Sequence, residues 1–226
     1  MNYELEKYIW TDADFENMGW HDCMIYKIRL DEDLELDIDY IFKWNLPDLE
    51  GLPFTFWIAP ATLVFKRPKQ VTLDLDIAFE DAGEIEGIER SNEDEGILWT
   101  INTQKGEIQF ISDGFEQFIR QKPTYQFGLA ISYIDRNGYS LERTTNQINP
   151  NILKDDYLDR RRKVFEDYEN YKMRHLKELE KESLDELKRN NKIDFKEYLL
   201  KQREIKEIIT DIDLLLKGTI FESRGS

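Results

Sequence analysis

Sulfur and imidazole are scarce in this chain, which carries one cysteine, Cys23, and two histidines, His21 and His175, in 226 residues. A single thiol excludes an intramolecular disulfide framework and fits a reducing, cytoplasmic setting. So few soft ligands, with no CxxC, HxxxH or EF-hand spacing, disfavour a structural zinc, and neither a metal nor a cofactor is expected. The chain also lacks GxxxxGK[ST], GxGxxG and GxSxG, which disfavours common nucleotide chemistry and α/β-hydrolase chemistry. No apolar run reaches membrane length, and the opening Met1-Asn2-Tyr3-Glu4-Leu5-Glu6 carries acids where a signal peptide carries bases, so no membrane association is expected.

Acidic charge is abundant and unevenly placed. Residues 1–150 hold 13 Lys+Arg against 29 Asp+Glu, and residues 151–226 hold 18 against 18, so the first part carries the whole net charge of −16. Such a field repels phosphate and attracts basic surfaces, which disfavours nucleic acid and favours a basic protein partner. The one basic cluster, Arg160-Arg161-Arg162-Lys163, is a single helical turn and reads as a solvated or locally paired face.

Hydrophobic periodicity divides the chain in the same place. Met24, Tyr26, Ile28 and Leu30 alternate with polar residues, as do Leu34, Leu36, Ile38 and Tyr40, the period of a strand. A turn at Asp31-Glu32-Asp33 puts Leu30 opposite Leu34, Arg29 opposite Glu35 and Lys27 opposite Asp37. Further strands are expected at Phe54–Ile58 and Thr62–Phe65 around Pro60, then at Val71–Ile77, Ile97–Ile101, Glu107–Ile111, Phe115–Ile119 and Tyr125–Ile134. Asn137-Gly138 reads as a type I′ hairpin turn placing Ile134 opposite Leu141. The acid-rich stretch Asp81–Glu95 reads as a solvated loop or a charged edge strand around Ile85–Ile88.

After Asn149-Pro150 the period becomes helical. A helix over about Lys154 to Arg189, a break at Asn190-Asn191 and a second helix capped by Asp194 and stopped at Gly218 form an antiparallel hairpin. The expected class is therefore α+β, an antiparallel β-sandwich or barrel-like body followed by a helical hairpin. The domain expectation is 1–148 for the acidic β domain and 149–221 for the hairpin, with 222–226 an appended tail resembling a cloning scar.

His21-Asp22-Cys23 invites a catalytic reading, but adjacent residues of a strand point to opposite faces, so no catalytic set is assigned. His21 and the strand carboxylates remain the basis of an alternative, a metal-dependent enzyme or a small-ligand-binding barrel. Trp44 lies at a strand end beside Asn45-Leu46-Pro47, where an aromatic can line a binding surface. The partner-binding set is accordingly Trp44, Asp37, Asp39, Asp74 and Asp76, with Glu93, Asp94 and Glu95 as a rim. On the last helix Ile205, Ile208, Ile212 and Leu215 form an apolar stripe that offers a homodimer contact and a scaffold alternative.

The segment Asp14-Phe15-Glu16-Asn17-Met18-Gly19-Trp20-His21-Asp22, with the strands through Trp44 and Phe56–Phe65, resembles uncharacterised bacterial β-rich proteins over the first third of the chain. The chain also resembles, loosely, the small acidic β-rich immunity proteins that neutralise bacterial toxins. That resemblance implies a non-enzymatic, protein-binding role and assigns no functional residue.

Overall fold

The structure, a computed structural model, describes residues 3–76 and 83–222. The expected strand end at Ile77, the start of the acidic stretch at Asp81 and the terminal Ser223–Ser226 lie outside these residues. The chain divides into two units, Met1–Pro47 with Pro53–Ile152, and Asp48–Leu52 with Leu153–Ser226.

The first unit is built from β1 (Ile9–Thr11), β2 (Cys23–Leu30), β3 (Leu34–Asn45), β4 (Thr55–Phe65), β5 (Lys69–Leu75), β6 (Glu84–Glu93), β7 (Gly96–Thr103), β8 (Gly106–Ser112), β9 (Phe115–Ile119) and β10 (Thr124–Gln126). All pairings are antiparallel, and the strand order is β1-β9-β4-β3-β2-β6-β7-β8-β5, with β10 added to β4. The sheet folds over itself. Phe65 of β4 and Phe115 of β9 meet Trp99 of β7 edge-on or tilted, and Phe65 lies 4.7 Å from Phe110 of β8, so the two halves share one aromatic core. Such contacts contribute beyond the area they bury.

Register explains most of the pattern. Leu34, Leu36 and Ile38 are fully buried, and Leu30↔Leu34, Arg29↔Glu35 and Lys27↔Asp37 pair across the β2–β3 hairpin as expected. Strict alternation in β2 fails at Tyr26, the extra residue of a bulge between Ile25 and Lys27. Cys23 and Ile25 therefore face the core in place of Met24 and Tyr26, and Tyr26 is turned to the outer face.

Pro60 does not end a strand: the two segments expected around it are the single strand β4. On the edge of β4 away from β3, β10 covers Phe56–Ile58 and β9 covers Ala61–Phe65. Pro60 falls in that gap, and its carbonyl accepts from Arg120 N–H at 2.9 Å. The imide nitrogen turns to the same side, where no ladder donor is required.

Two other expectations are corrected. Of the two forms expected for the acid-rich stretch the strand is the one adopted, but at Ile85 it is no edge, since β6 lies there between β2 and β7. The strand expected over Tyr125–Ile134 stops at Gln126, and Asn137-Gly138 makes no hairpin. Ser132 Oγ accepts from Asp135 N–H, Arg136 N–H donates to Ser132 C=O, and Asn137 and Gly138 donate back to Ile134 and Tyr133. This is one helical turn closed by a Schellman motif, with Asn137 at φ 61° and Gly138 at φ 81°. Asn-Gly tolerates positive φ in either setting, so the dipeptide alone does not separate them.

In the second unit α1 (Asp155–Arg189) and α2 (Phe195–Leu216) pack together as the expected helical hairpin. Asn191 at φ 52° closes α1 through a second Schellman pair, and the Asp194 carboxylate accepts from the backbone of Lys196 and Glu197 at the start of α2. No helix among the described residues is long and apolar enough to cross a membrane.

Candidate functional site

The outer face of β3 carries Asp33, Glu35, Asp37 and Asp39 at the turn and along the strand, and all four meet arginines delivered from residues 120–143 or from β2. Asp37, Asp39, Arg120 and Arg136 are each 0% exposed. Arg136 grips Asp37 with both prongs, Nη1 to Oδ2 at 3.0 Å and Nη2 to Oδ1 at 2.8 Å, and reaches Asp39 through Nε at 3.3 Å. Arg120 donates to Asp37 at 2.6 Å and to Thr62 Oγ1 at 2.9 Å, and also bonds Ser140 C=O. The remaining carboxylate lone pairs are filled by Tyr26 OH and Ile131 N–H on Asp39 and by Ser140 N–H on Asp37. The Arg136 guanidinium lies 4.0 Å over the Tyr26 ring, which stacks on Tyr139.

Two buried carboxylates and two guanidiniums make a neutral set. Burial pushes the Asp39 carboxyl up, against the pull of Arg136, and burial likewise lowers Arg120 from the usual guanidinium range despite Asp37. Further along the face, Glu35 pairs with Arg29 and Arg143, and Asp33 with Arg143. Burial opposes ionisation of Asp33 and Glu35, but the Arg67 amide and Arg143 at Asp33, and Arg29 and Arg143 at Glu35, hold both carboxyls below the usual range.

This placement corrects two of the expected partner contacts: Asp37 and Asp39 are internal, because arginines distant in sequence cover and neutralise them. Lys27 faces Asp37 in register, yet Arg120 and Arg136 hold the carboxylate. The arginines were not singled out from sequence. Their signal was weak but present, since residues 120–143 hold Arg120, Lys122, Arg136 and Arg143 against Asp135 and Glu142, a locally basic stretch in an acidic body.

A second acidic group has no such cover. Asp74 of β5 lies directly opposite Glu107 of β8, and the same row continues through Asn102 of β7 to Gly87 of β6. Like charges directly opposite destabilise a sheet. Asp74, Asp76, Glu86 and Glu107 line one recess of about 450 Å³, which also contains Lys105. None of these four carboxylates forms an ion pair among the described residues. Glu93, Asp94 and Glu95 are exposed around the β6–β7 turn, with Glu95 accepting from Gln70.

Trp44 is 41% exposed, packs edge-on against Phe54 and Phe56, and lies parallel to the His21 ring at 6.3 Å. His21, Asp22 and Cys23 belong to a turn: Cys23 N–H donates to Trp20 C=O, and Asp22 has φ 63°. His21 is exposed with Nδ1 3.0 Å from Glu86 C=O, while Cys23 is buried, its thiol pushed up to about 12 by desolvation. Trp20 is core, its indole donating to Gln117. No group of three His, Cys, Asp or Glu side chains among the described residues is arranged to hold a metal.

On the helical unit Ile205 and Ile212 are buried, Ile208 is half-buried and Leu215 is exposed, so the expected self-association stripe is divided between interior and surface. The basic cluster is paired locally: Arg162 with Asp159, Lys163 with Asp167, and Arg160 and Arg161 over Tyr157 and Phe165.

Comparison of the chain with protein-family models, with curated proteins and with solved structures gives no match.

Proposed function

We propose that the chain is a non-enzymatic protein-binding module that engages a basic partner through the outer face of β5, β8, β7 and β6. The observation that carries this is the Asp74–Glu107 cross-strand pair, two like charges in register with Asp76 and Glu86 beside them and no cation among the described residues paired to any. A sheet that neutralises Asp37 and Asp39 completely yet leaves this row uncompensated keeps a local electrostatic cost. A cationic partner removes that cost on binding. Masking of a basic protein, as the acidic immunity proteins do, is the biological role that fits.

The test is association with a lysine-rich polypeptide, comparing the chain with the triple variant Asp74→Asn, Asp76→Asn, Glu107→Gln. Association should slow steeply between about 0.01 and about 1 M ionic strength, as the Debye length falls from about 30 to about 3 Å. The triple variant should lose most of the low-salt rate. Equal rates for both proteins would remove the face from consideration.

A second reading, self-association through the helical hairpin, draws on Leu214 and Leu215, which are exposed side by side at the end of α2. Light scattering decides it: mass should rise with concentration, and a constant monomer mass would end it.

A further inference from the structure

We infer that β5 is a docking edge, and that the basic partner adds an extended segment to it as an eleventh strand of alternating apolar and basic residues. This rests on the acidic face proposed above and specifies how that face is used.

The sheet ends in two different ways. At one end β1 is only three residues long, a length that protects an edge from pairing. At the other, β5 contains no proline and among the described residues pairs with β8 alone; a bulge between Lys69 and Thr72 leaves Thr72–Leu75 as its regular stretch. The direction of its backbone groups follows from one bond. Asp76 N–H donates to Lys105 C=O at 2.7 Å, so the backbone of Asp74 and Thr72, in the same parity, also turns to β8. Leu73 and Leu75 therefore direct their N–H and C=O groups to the open edge, four hydrogen-bonding groups in all.

The side chains of the same strand describe the occupant. Leu73 lies opposite Ile108, on the core face, yet is 50% exposed, and Val71 and Leu75 pack at the margin of the same core. An added strand with apolar residues opposite Leu73 and Leu75 would complete that layer. The intervening residues of the added strand then fall on the outer face beside Asp74 and Glu107, where lysine or arginine meets the uncompensated pair. A second copy of β5 is a poor occupant, because antiparallel pairing would bring Asp74 and Asp76 against their own counterparts.

The alternating peptide Lys-Val-Lys-Val-Lys-Val serves as probe, with the protein unaltered. In the proposed register the valine amides face β5 and the lysine amides face away. N-methylation of the valines should weaken binding about tenfold or more, from loss of the edge hydrogen bonds, and N-methylation of the lysines should leave it nearly unchanged. Hydrogen exchange at Leu73 and Leu75 should slow in the complex. If both methylated peptides bind as the parent does, strand addition is wrong while the acidic face stands. Failure of the parent peptide to bind at low salt overturns both.

Discussion

Replacing Arg136 by methionine removes the side chain on which the buried network is centred and leaves its volume filled. Arg136 supplies both prongs to Asp37 and, among the described residues, the only guanidinium contact to Asp39, in a site whose four charged side chains are fully buried. After substitution two buried carboxylates share one guanidinium, that of Arg120. Breaking a buried pair by removing one partner costs about 3–5 kcal/mol, a large part of the ~5–15 kcal/mol that stabilises a domain. With a urea m-value of about 2 kcal/mol/M, the unfolding midpoint should fall by about 1.5–2.5 M. The companion is Asp39→Leu. Together the two changes leave Asp37 and Arg120 as a balanced pair, so the double variant should be more stable than the sum of the single losses predicts, with a coupling of about 1–3 kcal/mol. Urea denaturation of the four proteins in the cycle measures it. A loss below about 0.5 kcal/mol for Arg136→Met, or strict additivity, would refute the ion-pair account.

Three further outcomes are expected. Cys23 should resist a thiol reagent in native buffer and react fully in denaturant, because the thiol is buried and held protonated; rapid native modification would contradict the placement. Asp33 and Glu35 have folded-state carboxyl pKa values below their unfolded ones, so their stabilisation is present above about pH 5 and lost on acidification. Arg143→Gln should flatten the acid limb of a stability–pH curve, and an unchanged slope would count against the Arg143 pairing. Gly106 at φ 126° meets the Asp74 carbonyl oxygen where a Cβ would sit, so Gly106→Ala should cost about 1–3 kcal/mol in thermal or urea unfolding, and a neutral result would argue against the tight β8–β5 crossing.

The legible parts of the fold are those set by local repetition. The β2–β3 hairpin, β7, β8, β9 and both helices follow from period, turn residues and caps within a few positions of each residue. The illegible parts depend on distant partners. Pro60 looks like a strand terminus until β9 and β10 are seen to leave a gap beside it. Asp37 and Asp39 look like a half-solvated strand face, since alternation reports that two faces differ but not what covers the second. Their cover is an irregular segment with no period at all, delivering Arg136 from one capped helical turn and Arg120 from the end of β9. Tyr26 lies on the face opposite to the one that alternation predicts, because a single bulged residue reverses parity without leaving a mark in composition.

The acids of the β body thus divide into those satisfied internally and those left uncompensated, and a titration with trilysine followed by amide chemical shifts tests that division most directly. Shifts should concentrate on residues 72–76 and 102–107 and at Glu86, and be absent at Asp37 and Asp39. Shifts centred on the β3 acids or on Trp44, with β5 and β8 silent, would contradict it.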